Sequence, residues 1–266
     1  MKDMVAWFGL KRLPFDKEIQ TQDLFESDSL AESLARLDFM KQRLGCMLLT
    51  GDPGVGKTVA LRHFVDSLNP NLFRPFYTPL STLKGADIFR HLNHLLGLIP
   101  RGAKSDMFSQ LQEEILDSRE QRGRTILFIL DEAQLLHVGT LQELRLLTNF
   151  KMDSFDPFIF ILSGQSDLRR VMDYAIMEPF SQRLRMRYHM PPLTKEDTAR
   201  YIPHHLKLAG ATEPIFSEDA IGAIHELAYG IPRRIGAIAS QAMTTAMFQD
   251  LRTVDADTVM KVKTGG

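Results

Sequence analysis

Short, nearly unbroken apolar runs punctuate the first two thirds of the chain. They lie at residues 46–49 (Cys46, Met47, Leu48, Leu49), at 125–130 and at 158–162. Runs of this length without alternation suit strands buried on both faces of a parallel sheet. A further strand is expected at 73–78, and Pro75 disfavours a central position for it because proline donates no ladder hydrogen bond. Between the runs the apolar period changes from continuous to helical. Leu30, Leu34, Leu37 and Met40 follow the capping-box pattern Ser29, Leu30, Ala31, Glu32, which predicts a helix ending near Leu44 and Gly45. Residues 88–98 read as a second helix. Met107, Leu111 and Ile115 mark another, closed by the polar stretch 119–123.

From about Pro191 no strand-like run follows. Thr194 and Ser217 are placed to cap successive helices carrying Ile202 and Leu206, then Ile221, Ile224 and Leu227. A third helix begins after Gly230, Ile231 and Pro232, and a short last one near Val254. The expected organisation is a three-layer α/β domain over residues 1–190, a parallel sheet sandwiched by helices, followed by a small all-helical lid over 191–266.

One motif assigns chemistry to the sheet. Gly51, Asp52, Pro53, Gly54, Val55, Gly56, Lys57 and Thr58 form a complete G-x-x-x-x-G-K-[ST] loop directly after the first apolar run. Its glycines let backbone N–H groups point at phosphate oxygens, Lys57 can reach the β and γ phosphates, and Thr58 can coordinate Mg²⁺. Val59 then opens a helix whose N-terminal dipole favours the same anion. These residues imply nucleoside triphosphate binding. The run 125–130 ends in Asp131 and Glu132, which are read as the metal-holding carboxylate and the residue that polarises an attacking water. The run 158–162 ends in Ser163, Gly164 and Gln165, and either Ser163 or Gln165 can sit beside the γ-phosphate. Arg183, Arg185 and Arg187 alternate with apolar residues, which places three guanidinium groups on one face of an extended segment. Arg233 follows Pro232 at a helix start, a poor place for a cation unless an anion lies nearby, and is read as a lid residue facing phosphate.

Composition restricts what else the chain can be. A charged fraction of 24% and a net charge of -1 give no global attraction to nucleic acid, so any such contact needs a local basic patch or repetition in an assembly. The single cysteine, Cys46, lies in an apolar run and is expected to be a buried core residue, which excludes a disulfide or cysteine-based zinc site within one chain. Neither a signal-peptide pattern nor a membrane-length apolar run is read, so no membrane partner and a cytoplasmic location are expected.

The phosphate loop, the Leu130–Gln134 stretch, Ser163 to Gln165, Arg183 and the Gly230, Ile231, Pro232, Arg233 turn together resemble an AAA+ ATPase. The opening Phe8, Gly9, Leu10 and Leu13, Pro14, Phe15, with Leu24, Phe25 and the later Pro191, Pro192, Leu193, are similar to the ExeA family of AAA+ proteins. The resemblance implies a P-loop NTPase fold of AAA+ type, with ATP and Mg²⁺ as ligands and ATP hydrolysis as the activity. It makes Asp131 and Glu132 the Walker B pair, Gln165 or Ser163 sensor 1, Arg183 the finger supplied to a neighbouring subunit, and Arg233 sensor 2. Arg185 and Arg187 compete with Arg183 for the finger role. It also implies a homo-oligomer, ring or filament, with the adenine near Phe15, Leu24 and Phe25. Because the chain ends soon after the lid without a membrane segment or appended module, the expectation is a transposition helper similar to TniB, TnsC and MuB, assembling on double-stranded DNA and recruiting a transposase. A secretion or envelope-assembly ATPase is the first alternative, and a slow nucleotide switch acting on a protein partner the second.

Overall fold

The computed structural model describes residues 3–16, 19–79 and 82–264. In chain order the strands are β1 (Gly45–Thr50), β2 (Phe73–Thr78), β3 (Thr125–Leu130), β4 (Ile159–Gly164) and β5 (Leu184–His189). The helices are α1 (Met4–Trp7), α2 (Asp28–Arg43), α3 (Lys57–Asp66), α4 (Ala86–Leu95), α5 (Lys104–Glu120), α6 (Val138–Leu147), α7 (Ser166–Met172), α8 (Glu178–Ser181), α9 (Lys195–Leu208), α10 (Glu218–Ala228), α11 (Pro232–Phe248) and α12 (Ala256–Thr264). The chain separates into two compact units. One holds residues 32–51 and 57–190, and the other holds 1–31, 52–56 and 191–266.

The first unit is built on a five-stranded parallel sheet of order β2-β3-β4-β1-β5. Every residue of β1, β3 and β4 is buried, as their unbroken apolar sequences require of central strands. β2, with Pro75, lies at one edge, where the missing N–H costs nothing. β5 forms the other edge and alternates half-buried with exposed residues, the period-2 pattern of a strand with one wet face. Phe128 and Phe160 point into a core shared with Phe89, Leu92, Leu111 and Ile115 from the covering helices. Burial of each such ring contributes about 2–3 kcal/mol. The pairings Thr50↔Gly164, Leu130↔Leu162 and Thr78↔Leu130 bring the carboxyl ends of four strands to one edge of the sheet.

The second unit is helical and has its own core, in which Ile202, Leu206, Ile224, Ile235, Ala239 and Met243 meet. Thr194 Oγ1 accepts from Asp197 N at 3.0 Å and Ser217 Oγ from Ala220 N at 3.2 Å, so both sequence-expected caps form. The N-terminal segment was expected to belong with the sheet. Instead Leu10 enters the helical core, Lys11 N donates to Ala209 O at 2.7 Å, and Trp7 Nε1 donates to Leu251 O at 2.9 Å. The cap of α2 also differs from expectation. Ser27 Oγ accepts from Leu30 N at 3.2 Å, so the helix starts at Asp28, and Ser29 Oγ bonds Ser27 Oγ instead.

Candidate nucleotide site

The strand-end edge gathers the polar residues that the sequence singled out. Asp131, the first residue past β3, is buried at 3% exposure, and its carboxylate is saturated with donors. Oδ1 accepts from Ser163 Oγ at 2.7 Å and from Glu132 N at 3.0 Å, while Oδ2 accepts from Thr58 Oγ1 and from Tyr77 OH, both at 3.0 Å. A buried carboxylate is stable only when its lone pairs are so engaged. Thr58 belongs to the first turn of α3, at the end of the phosphate loop, so α3, β2, β3 and β4 all converge on this one side chain. Lys57 is also buried, and its Nζ donates to Gly51 O at 2.8 Å, at the end of β1. Val59 is half-buried in the same helical turn.

Glu132 occupies a different environment. Its backbone is left-handed, with φ 53° and ψ 32°, an arrangement that costs a non-glycine residue about 1 kcal/mol. Its Oε2 accepts from Gln134 Nε2 at 2.7 Å and, more weakly, from Gln165 Nε2 at 3.4 Å. Ser163 and Gln165, open alternatives at the sequence level, therefore have separate partners: Ser163 fixes Asp131, and Gln165 faces Glu132.

Within the helical unit, the loop residues 52–56 lie beside the start of α11. Gly54, with φ 87°, accepts through its carbonyl from Arg233 N at 3.3 Å. A Cβ at Gly54 would stand 2.7 Å from Arg233 Cβ and 3.2 Å from Ile231 Cγ2, so only glycine fits this approach. Pro232 occupies the first turn of α11 and Arg233 follows it, exposed, at the helix N-terminus. Asp52, Pro53, Val55 and Gly56 complete the loop, Gly56 also with positive φ at 116°.

The three arginines do not share one face. Arg185 and Arg187 lie on the exposed face of β5, but Arg183 precedes the strand and is folded inward at 18% side-chain exposure. Its guanidinium donates to Thr148 Oγ1 at 3.0 Å and to Asp153 Oδ1 at 2.9 Å. Arg185 Nε donates to Asp156 Oδ2 at 2.9 Å, and Arg187 pairs with Asp173 at 3.6 Å. Each guanidinium thus has a carboxylate of its own unit.

Two participants escaped the sequence reading. Tyr77, near the end of β2, donates to Asp131, and its phenol is pushed up to about 12 by burial and then by the Asp131 charge and hydrogen bond, so it remains a donor at neutral pH. Gln134 bridges Glu132 to the end of β4. The rule that ligands gather at strand carboxyl ends points to Tyr77 once its strand is placed beside β3. Gln134 had only its position in the Asp131–Gln134 stretch to mark it.

Thr58 Oγ1 and Asp131 Oδ2 offer hard oxygen atoms side by side, the donor type Mg²⁺ prefers, and the N-terminus of α3 suits a phosphate. A family model described as "AAA domain" matches residues 40–172, half of the chain. The chain belongs to the AAA domain family. Its fold is that of the P-loop AAA+ NTPases. General secretion pathway protein A of Aeromonas hydrophila is 31% identical over 242 residues, covering 90% of this AAA chain and 44% of that protein. An HTH-type transcriptional regulator of Methanocaldococcus jannaschii, described as uncharacterized, is 25% identical over 178 residues, 65% of this chain and 43% of its own length. The chain thus spans less than half the length of the curated relatives it matches. Among solved structures, Cdc6p from Pyrobaculum aerophilum aligns with a TM-score of 0.66 at 19% identity, covering 90% of this chain and 67% of that one. The RuvB Holliday junction branch migration motor of Thermotoga maritima aligns with a TM-score of 0.55 at 18% identity, covering 91% and 72%. Among the described residues, no helix is long and apolar enough to cross a membrane.

Proposed function

We propose that this AAA protein binds ATP with Mg²⁺ and hydrolyses it to ADP and phosphate. The observation that carries this reading is the division of labour between adjacent carboxylates: Asp131 is saturated and tied to Thr58 and Ser163, whereas the Glu132 carboxylate bonds Gln134 and Gln165 instead. The loop N–H groups and Lys57 hold phosphate oxygens, and Lys57 exchanges the Gly51 carbonyl for them. Thr58 and Asp131 would hold Mg²⁺, which when bound neutralises charge on the phosphate oxygens. Ser163 and Tyr77 keep the Asp131 carboxylate in place. Glu132 accepts a proton from the attacking water, and Gln165 lies close enough to orient it. Arg233, beside Gly54 of the same unit, meets phosphate at the loop. Arg183 acts on the nucleotide of a neighbouring copy in a homo-oligomer, and in doing so leaves Asp153 and Thr148. Mg²⁺-dependent phosphate release by the purified chain tests the activity, and its absence with bound ATP would reduce the protein to a nucleotide switch.

For the work that hydrolysis drives, we propose assembly on double-stranded DNA in aid of a transposase, in the cytoplasm. In this reading Arg185 and Arg187 leave Asp156 and Asp173 to meet DNA phosphates, and a stripe repeated on many copies matters more than the charge of one. A secretion-type role is the second reading, favoured by the relative named as a general secretion pathway protein. A gel shift on non-specific duplex DNA with ATP, ADP or no nucleotide, at two salt concentrations, separates them. ATP-dependent, salt-sensitive binding supports the helper, and ATP-dependent assembly indifferent to DNA supports the secretion-type reading.

A further inference from the structure

The short turn Ala133–Leu135 after β3 is anchored by Ala133, fully buried, and carries Gln134 between the ends of two strands. Both ends of the Gln134 amide are engaged. Nε2 donates to Glu132 Oε2 at 2.7 Å, and Oε1 accepts from Gln165 N at 3.0 Å. Exchanging the two amide atoms would set oxygen against carboxylate and NH₂ against N–H, so the chemistry of its neighbours dictates the orientation. The seat is equally specific. A Cβ at Gly164 would stand 2.7 Å from Gln134 Oε1, 2.8 Å from Leu168 Cδ2 and 3.2 Å from Gln134 N, so the bridge fits only because β4 ends in glycine.

We infer that Gln134 is a positioning residue for hydrolysis: it clamps the Glu132 carboxylate to the end of β4 by its short bond to Oε2. The inference rests on the proposed role of Glu132. A glutamate at a strand exit has three rotatable bonds, and the second donor on Oε2, Gln165 at 3.4 Å, is too long to fix it alone. Gln134 supplies the short bond and couples Glu132 to the same strand that fixes Asp131 through Ser163. Such fixing raises the fraction of bound states that are ready to react without adding contacts to the nucleotide.

The test uses the full chain and single-turnover ATP hydrolysis. Gln134→Leu lowers the rate about tenfold, with ATP and ADP affinities within about twofold of the original and an unchanged melting temperature. Gly164→Ala, which displaces the amide by another route, gives the same split between rate and affinity. In a Glu132→Gln background, Gln134→Leu has no further effect, because the group it positions is gone. A normal rate in Gln134→Leu beside an inactive Glu132→Gln overturns the clamp and leaves the Glu132 reading intact. Losses that multiply in the double variant also overturn it, since Gln134 would then act elsewhere, as would a parallel fall in affinity and rate. Full turnover by Glu132→Gln itself removes the Glu132 reading, and the clamp falls with it.

Discussion

In the sheet unit the buried polar side chains Lys57, Asp131 and Ser163 gather at the carboxyl ends of neighbouring strands, and Asp131 draws side-chain donors from three separate elements, β4, α3 and β2. In the helical unit Asp197, Thr198 and His205 lie along α9, and their partners are backbone and side chains of that unit's own helical core. Thr198 Oγ1 donates to Thr194 O at 2.9 Å and bonds His225 Nδ1 at 2.9 Å, while the His205 ring lies 4.3 Å from that of Tyr201 and 5.4 Å from that of Phe15. The first set is assembled from residues far apart in sequence and would be costly as pure architecture, because each buried charge needs several partners. The second set is compatible with a plain helical core. Substitutions in the sheet set are therefore expected to move chemistry more than stability, and substitutions in the helical set the reverse.

The largest effect belongs to Lys57. Lys57→Ala lowers ATP affinity by more than about 100-fold, the loss of a charge-assisted contact, while the melting temperature changes little. Isothermal calorimetry against a thermal melt checks both halves, and a matched loss of stability would make Lys57 a structural residue instead.

Acid should then act on the helical unit. Burial, followed by the neighbouring His204 and Arg12 charges, lowers His205 from its ordinary value to about 4, so the folded state holds the ring neutral. Between the unfolded value near 6.5 and about 4 the unfolded chain binds the extra proton. Stability present above the unfolded value is lost as pH falls through this window, by roughly 3 kcal/mol for this group. Denaturant melts from pH 7 to 4 should show the slope, and a His205→Phe chain should show less of it. An equal slope in both would remove His205 as the source.

Ser163→Ala sharpens the contrast from the other side. It removes the 2.7 Å bond that Ser163 Oγ donates to Asp131 Oδ1, at a cost of about 1–2 kcal/mol. Turnover should fall about tenfold while the nucleotide remains bound. The smallest change is expected from Asp153→Ala. Its carboxylate is 60% exposed, so loss of the Arg183 pair costs less than about 1 kcal/mol. If Arg183 serves a neighbouring copy, freeing it should not reduce turnover. Arg183→Ala should reduce it, and mixing that variant with Lys57→Ala should restore part.

What the sequence disclosed follows the same division. The phosphate loop, Asp131 and Glu132 are contiguous stretches attached to apolar runs, and local spacing is enough to place them. The central strands were legible for the same reason, and Pro75 placed β2 at an edge. Tyr77 and Gln134 were not legible as site residues, because their roles depend on which strands are neighbours: the register Thr78↔Leu130 sets Tyr77 beside Asp131, and β4 beside β3 gives Gln134 its second partner. Arg183 was misplaced because alternation describes only the backbone direction, whereas Thr148 and Asp153 decide where its side chain goes. The N-terminal segment joined the helical unit through contacts such as Trp7 with Leu251 that no local pattern encodes.

On the proposed reading, Glu132 turns a nucleotide-binding site into a hydrolysing one. The most direct measurement is ATP affinity and single-turnover phosphate release for Glu132→Gln beside the unchanged chain. Affinity is expected within about twofold and release slowed by at least about 100-fold. Phosphate release at the original rate, with ATP bound as before, would contradict it.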